Sequence, residues 1–574
     1  MKRVLHEHMR VVLLTAAFLA AFALAGYRLV VLAGVRHETY AQQARAQSER
    51  ATTLVARGSI FFQDAGGIRP IAAVNRRFPF VVVRTSSVDP ELRDGIADAL
   101  ATVTGASKDS LIALLDREGK ERTLPYRLTE EQARAVTDLE LPGIGIAYAL
   151  DREYPSGTLA ADVLGFVGYS DRGRSGQYGI ESRFEHMLSG SLSRRSFFAA
   201  TNPVSIIKSL IGGESARAEQ SDQPRDIVLT LDHAIQAYVE NALDAVVTKW
   251  KAAGGSAIVQ DPRTGRILAM VDRPTFNPNE YRTSKTEAFL NSSVQSIFEP
   301  GSTFKPFTMA AGLDTNVLTP QTTYYDTGSV EVADRVIKNS TQRPSGTRTM
   351  TQVLELSLNT GTVFAAKLIG TEKFREYMVN LGFGQPTGID LPGEVSGDIS
   401  NLYSGREINT MTASFGQGIA VTPLQLVNAF SSIANGGRLM RPLIVDRVIT
   451  GTKEDVIEPE VVSIPFSERT ASRLQTMLTS VVDNGYDAGG RISGYDIAGK
   501  TGTAQIAGPD GKYLDGIFIH TFVGFAPSYD ARYTVLLKLD RPQGVTFASN
   551  SLVPTFKDIM QFLLTYGSVP PSRR

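Results

Sequence analysis

At 574 residues the chain has length for three or four domains and a large core. Its 59 Lys and Arg balance 59 Asp and Glu, which argues against nucleic acid as a partner, and the lack of cysteine excludes disulfides, thiolate chemistry and the usual structural zinc sites. Only six histidines are present, none in an H-E-x-x-H pair, so a serine enzyme built here could not easily use a Ser-His-Asp triad and would need another base.

Lys2, Arg3 and Arg10 precede an apolar run from Val11 to Tyr27, which resumes after Arg28 as Leu29-Val30-Val31-Leu32-Ala33. Residues 11–35 would form about 37 Å of helix, enough to cross the hydrocarbon core, with the Arg28 stem free to reach the far interface. The positive flank predicts that residues 1–10 stay cytoplasmic and the rest lies outside. Ala23-Leu24-Ala25 also fits a signal-peptide cleavage site, and either reading puts the bulk of the chain outside the cytoplasm. From 36 to 212, strand-like runs such as Phe80-Val81-Val82-Val83 mix with helix-like ones such as Asp89–Leu100, an α+β domain without a catalytic cluster. Residues 213–225 are polar and read as a linker.

A second domain is expected over 226–565. Ser256–Gln260 and Arg266–Val271 are strand-like and joined by the turn Asp261-Pro262-Arg263-Thr264-Gly265. Thr521–Phe525 and Tyr533–Leu539 are strand-like near the other end, preceded by Asp496–Ile506, and 302–435 is mostly helical. A sheet assembled from both ends with helices inserted between is an α/β or α+β arrangement. Residues 566–574 read as a tail with no room for a further module.

Three short patterns carry chemistry in order: Ser302-x-x-Lys305, Ser357-Leu358-Asn359 and Lys500-Thr501-Gly502. In Glu299-Pro300-Gly301-Ser302-Thr303-Phe304-Lys305-Pro306-Phe307 the Pro-Gly turn places Ser302 at a helix start, with Lys305 three residues on along the same face. Ser302 is then either an N-cap or a nucleophile with its base one turn away. A competing pattern, Gly494-Tyr495-Asp496-Ile497-Ala498-Gly499-Lys500-Thr501, matches the phosphate loop G-x-x-x-x-G-K-T, but no strand core precedes it and Gly508-Pro509 ends any helix that follows.

The ordered trio, with the longer runs Phe298–Pro306, Ser414–Leu426 and Gly499–Gln505, resembles the class B penicillin-binding proteins, anchored peptidoglycan D,D-transpeptidases. Arg57-Gly58, Tyr154-Pro155-Ser156-Gly157 and Gly179-Ile180-Glu181 extend the resemblance through the amino-terminal domain. Phe61-Phe62-Gln63-Asp64-Ala65-Gly66 departs from the family's usual Asp-Arg-x-Gly turn.

The resemblance implies an elongated α+β pedestal or dimerisation-type domain and a penicillin-binding, β-lactamase-like transpeptidase domain, an antiparallel sheet with inserted helices. It implies Ser302 as the acylated nucleophile, Lys305 as its base, Ser357 as proton relay and Asn359 as holder of the substrate amide. Lys500, Thr501 and Thr503 would take the substrate carboxylate, the backbone amides of Ser302 and Thr503 would form the oxyanion hole, and Gly502 would let substrate approach the strand. Holding Lys305 neutral at pH 7 requires depressing its pKa by roughly 3 units, for which desolvation and a second cation, Lys500, both serve.

No cofactor or metal is called for. The implied partners are peptidoglycan stem peptides, β-lactam antibiotics, a membrane-embedded glycosyltransferase and proteins of the division or elongation machinery, and the Phe415–Leu426 run looks more division-like. Two other readings share the trio: a D,D-carboxypeptidase or β-lactamase-type hydrolase, and a β-lactam sensor or wall-complex scaffold.

Overall fold

A computed structural model describes residues 57–116, 122–170, 173–190, 223–340, 343–508 and 512–573. The expected membrane helix at 11–35 lies outside the described residues, as does all but the end of the linker at 213–225. Among the described residues no helix is long and apolar enough to cross a membrane.

The chain divides into two compact units. The described residues begin with strands β1 (Ile60–Gln63) and β2 (Ile71–Val83). Arg76–Asp151 and Tyr169–Arg174 make up the first unit, which contains the carboxy-terminal part of β2, α1 (Arg93–Thr104), α2 (Lys108–Leu115), β3 (Arg122–Arg127), α3 (Glu130–Asp138) and most of β4 (Ile144–Glu153). Phe80 and Val82 of β2 pair antiparallel with Arg127 and Thr123 of β3. Val81 and Val83 of β2 and the helical residues Ile96, Leu100, Leu111, Leu115, Ala133 and Val136 are buried together in the core of this unit. Thr129 and Gln132 close a capping box at the start of α3, satisfying amides that a helix start leaves unpaired.

The second unit contains 57–75, Arg152–Gly168 and the described residues from Ser175 onward. Reading by sequence placed 57–75, 152–168 and 175–190 with the non-catalytic domain. They cluster with the carboxy-terminal part of the chain because β1 pairs in parallel with β5 (Asp226–Asp232), Ile60 against Ile227, and because Arg57, Arg152 and Glu181 meet in one buried ion cluster. Arg57 donates to Glu181 at 2.7 Å and Arg152 donates to the other Glu181 oxygen at 2.6 Å, with the Tyr154 hydroxyl 3.3 Å from that oxygen. Burial pushes the Glu181 carboxyl up, but the Arg152 and Arg57 guanidiniums outweigh it and hold it below its usual range.

After α4 (His233–Lys249) come β6 (Gly254–Gln260) and β7 (Ile267–Arg273), the expected hairpin. The helical stretch includes α5 (Lys305–Asp314), α6 (Met350–Glu355), α7 (Asn359–Ile369) and α8 (Pro423–Ala434). Two short ribbons interrupt it, Thr323–Asp326 with Gly346–Thr349 and Ser329–Val332 with Arg335–Lys338. Strands β8 (Val445–Thr450) and β9 (Lys453–Val456) extend the sheet of β5, and α9 (Glu468–Asn484) follows. The last strands are β10 (Ala498–Ala507), β11 (Tyr513–Ala526) and β12 (Tyr533–Asp540), before α10 (Val553–Tyr566).

The main sheet has the order β10-β11-β12-β6-β7, antiparallel throughout, so it is assembled from both ends of the domain as expected and β10 is an edge strand. On one face α4 and α10 bury Val239, Leu243, Phe556 and Leu563 against β-strand residues such as Val259, Phe522 and Leu537. The other core holds α5 and α8, with Phe307 of α5 between Phe383 and Phe430. Residues 305–313 of α5 are all buried, the mark of a helix packed on every side.

Candidate active site

The nucleophile turn is a short 3-10 helix, Gly301–Phe304, running directly into α5. Pro300, not Ser302, occupies the cap position, and the Ser302 side chain caps nothing. Ser302 is half-buried, and Lys305 follows one turn later on the same face. The Ser414–Leu426 run supports this turn from behind. Phe298 pairs with Val421 through both backbone bonds, 3.0 and 2.9 Å, Gly301 N–H donates to the Gly416 carbonyl at 3.0 Å, and the Gly418 amide donates to Glu299 at 2.9 Å. The second Glu299 oxygen accepts from the Tyr513 hydroxyl at 2.9 Å.

Lys305 is fully buried at the start of α5. Burial and then the charge of Lys500 hold its amine well below the ordinary lysine range, as the sequence led us to expect. The positive end of the helix dipole acts in the same direction. Its Nζ donates to the Ser357 carbonyl at 2.5 Å and lies 3.2 Å from the Ser357 hydroxyl. Ser357 is the left-handed residue that ends α6, with φ of +53°. Its amide donates to Leu354 O at 3.2 Å and the next amide, of Leu358, to Val353 O at 2.9 Å, the paired bonds of a Schellman terminus. Asn359 opens α7, and its carboxamide nitrogen donates to the Lys338 carbonyl at 2.9 Å.

Lys500, Thr501, Gly502 and Thr503 lie on β10. A strand, not a helix, therefore holds Gly499-Lys500-Thr501, and no helix-end amides face a phosphate there. Lys500 is buried. Burial lowers its amine, with the Asp487 charge opposing. Gly502 packs against the nucleophile turn. A Cβ there would come within 2.8 Å of the Pro300 carbonyl and 3.0 Å of the Thr303 methyl, so its missing side chain admits the nucleophile turn.

Thr501 gives its amide to Asp487 Oδ2 at 2.9 Å and its hydroxyl to Asp487 Oδ1 at 2.8 Å, so that hydroxyl is already engaged. Thr503 Oγ1 instead accepts from the Ala548 amide at 3.2 Å, which leaves its own proton to donate. Because the Thr501 amide points away from β11, strand alternation turns the Thr503 amide outward as well, toward the free edge.

This constellation lies within one of two matched family domains. Residues 255–561 match the penicillin-binding protein transpeptidase domain, and residues 52–203 match the penicillin-binding protein dimerisation domain. The chain is 31% identical over 576 residues to the probable peptidoglycan D,D-transpeptidase PbpC of Pseudomonas aeruginosa, covering 98% of this chain and 95% of that one. The chain belongs to the class B penicillin-binding proteins. Stage V sporulation protein D of Bacillus subtilis is 32% identical, over 90% of this chain and 79% of its own length. Penicillin-binding protein 3 of Mycobacterium tuberculosis, complexed with aztreonam, shares the fold at a TM-score of 0.67 and 24% identity, over 91% of this chain and 98% of that one.

In this class B penicillin-binding protein, sequence reasoning missed two residues beside β10. Asp487 is buried but lies in a loop with no motif to distinguish it from nearby Asp483 and Asp496. His520, opposite Thr503 on β11, is buried with Nδ1 2.8 Å from Ser551 Oγ and Nε2 3.1 Å from the Thr546 carbonyl. A carbonyl only accepts, so Nε2 carries the proton and Nδ1 accepts from Ser551. Burial holds this imidazole down to about 4.

Proposed function

We propose that this protein is a peptidoglycan D,D-transpeptidase that works through a Ser302 acyl-enzyme and is inhibited by β-lactams. The observation that carries the reading is Lys305, a lysine one turn from a serine, fully buried, beside a second buried cation and bonded to Ser357. Burial and the Lys500 charge both favour the neutral amine, the form that can take the Ser302 proton. Ser302 Oγ attacks the carbonyl of the penultimate D-alanine of a stem peptide while its proton passes to Lys305. The amides of Ser302 and Thr503 hold the oxyanion, contributing about 3 kcal/mol per donor. Ser357 passes the proton on to the departing D-alanine amine. An amine of a second stem peptide then attacks the ester, releasing Ser302. Asn359 steadies the donor amide, while Lys500 and the Thr503 hydroxyl take its carboxylate, Thr501 contributing less because Asp487 already holds its hydroxyl.

The pedestal domain, a membrane anchor at 11–35 with the amino end cytoplasmic, and a membrane-embedded glycosyltransferase partner belong to the same reading. The Phe415–Leu426 run favours a role in division, and depletion that gave round cells instead of filaments would reject that role. For the chemistry, fluorescent penicillin labels the wild type covalently and leaves Ser302→Ala unlabelled. Labelling of Ser302→Ala would place the nucleophile elsewhere, and penicillin turnover without cross-linking of lipid II polymer would make the protein a hydrolase.

A further inference from the structure

Strand β10 is an edge, so its outward backbone groups are open to an added extended peptide, which would bond to Thr503 and then, two residues or about 7 Å along, to Thr501. Asp487 already occupies the second of these positions. Its two carboxylate oxygens take both the amide and the hydroxyl of Thr501, at 2.9 and 2.8 Å, and its side chain is buried. It fills the place where the carbonyl of a further peptide residue would pair, and an anion there opposes any acceptor brought against it.

We infer that Asp487 is a positioning residue that ends the donor-binding edge of β10 and limits the donor to a single residue beyond the scissile bond. The inference rests on the transpeptidase reading. With the reacting carbonyl at the Thr503 amide, the leaving residue runs toward Thr501, and its carboxylate meets the Thr503 hydroxyl, whose proton the Ala548 contact leaves free. A donor lengthened by one residue runs into the Asp487 carboxylate.

The test uses the full-length protein in detergent and two synthetic donors, one ending in D-Ala-D-Ala and one carrying an added glycine after it. The readout is the ratio of kcat/KM for the extended donor to that for the shorter one, which partial loss of folded enzyme does not move. In the wild type the ratio is small. It rises tenfold or more in Asp487→Ala, whereas Asp487→Asn, whose carboxamide oxygen still accepts from Thr501, stays within about threefold of the wild type. If Asp487→Ala does not fold, Asp487→Ser vacates the outer position while keeping an acceptor and gives the same rise. A wild type that takes both donors equally overturns the inference, as does an unmoved ratio in the shortened variants. Fluorescent penicillin on the same samples reports separately on Ser302: an unlabelled wild type would reject the transpeptidase reading itself.

Discussion

Lys305 Nζ lies 2.5 Å from the Ser357 carbonyl oxygen and 3.2 Å from the Ser357 hydroxyl, so both hydrogens of a neutral amine have acceptors on one residue. A neutral amine has two N–H groups and one lone pair. With both hydrogens engaged by Ser357, the lone pair is left for the proton of Ser302 one turn away. The left-handed backbone of Ser357 is what turns its carbonyl and its hydroxyl toward the same nitrogen.

That backbone sets stability against activity. A non-glycine residue at φ of +53° costs on the order of 1 kcal/mol. Ser357→Gly relieves that strain and keeps the carbonyl that accepts from Lys305, so it raises stability by about 1 kcal/mol while slowing acylation roughly 100-fold or more. Thermal denaturation beside penicillin acylation rates checks both halves, and a lowered Tm would contradict the strain argument.

Lys305 links pH to both acylation and stability. Its ordinary pKa is 10.5 and its folded value lies well below, so between the two the unfolded chain holds the extra proton and stability rises with pH. Acylation falls as pH drops through the depressed value, because the charged amine cannot accept a proton. In Lys305→Met the gain in urea stability between pH 7 and pH 10 shrinks and acylation is lost. An unchanged slope would show that Lys305 is charged in the folded state.

Gly502→Ala separates two explanations for the glycine. The new methyl meets the Pro300 carbonyl and Thr303, so β10 and the nucleophile turn must part, at a cost of about 1–3 kcal/mol. Both Tm and the acylation rate fall. If Gly502 served only to admit substrate, Tm would stay unchanged and only KM would rise.

His520 produces an acid limb. It titrates near 6.5 unfolded and about 4 folded, so its contribution is complete above pH 6.5 and is lost as pH falls from there to about 4, a difference of about 3 kcal/mol. His520→Gln flattens stability across that window, and urea titrations at pH 4.5 and 7 measure it. An equal loss in both proteins would assign the limb to other groups.

The sequence by itself determined the chemical kit and the family. Spacing and order of Ser302-x-x-Lys305, Ser357-x-Asn359 and Lys500-Thr501-Gly502 are covalent facts, and the strand and helix periodicities around β6, β7, β11 and β12 are local ones. Tertiary structure alone decided which groups face each other. Gly502 looks the same in sequence whether it clears room for a peptide or for Pro300. Asp487 is not distinguished from nearby Asp483 and Asp496 until β10 brings Thr501 against it. Arg57, Arg152 and Glu181 lie far apart in sequence, and only the folded chain brings them into one buried ion cluster. The physical reason is common to all three: contacts between residues far apart in the chain depend on strand pairing and desolvation, which no local pattern encodes. For Lys305 the sequence named the residue and its need for a depressed pKa, but only the packing of α5 on every side supplies the burial that meets it.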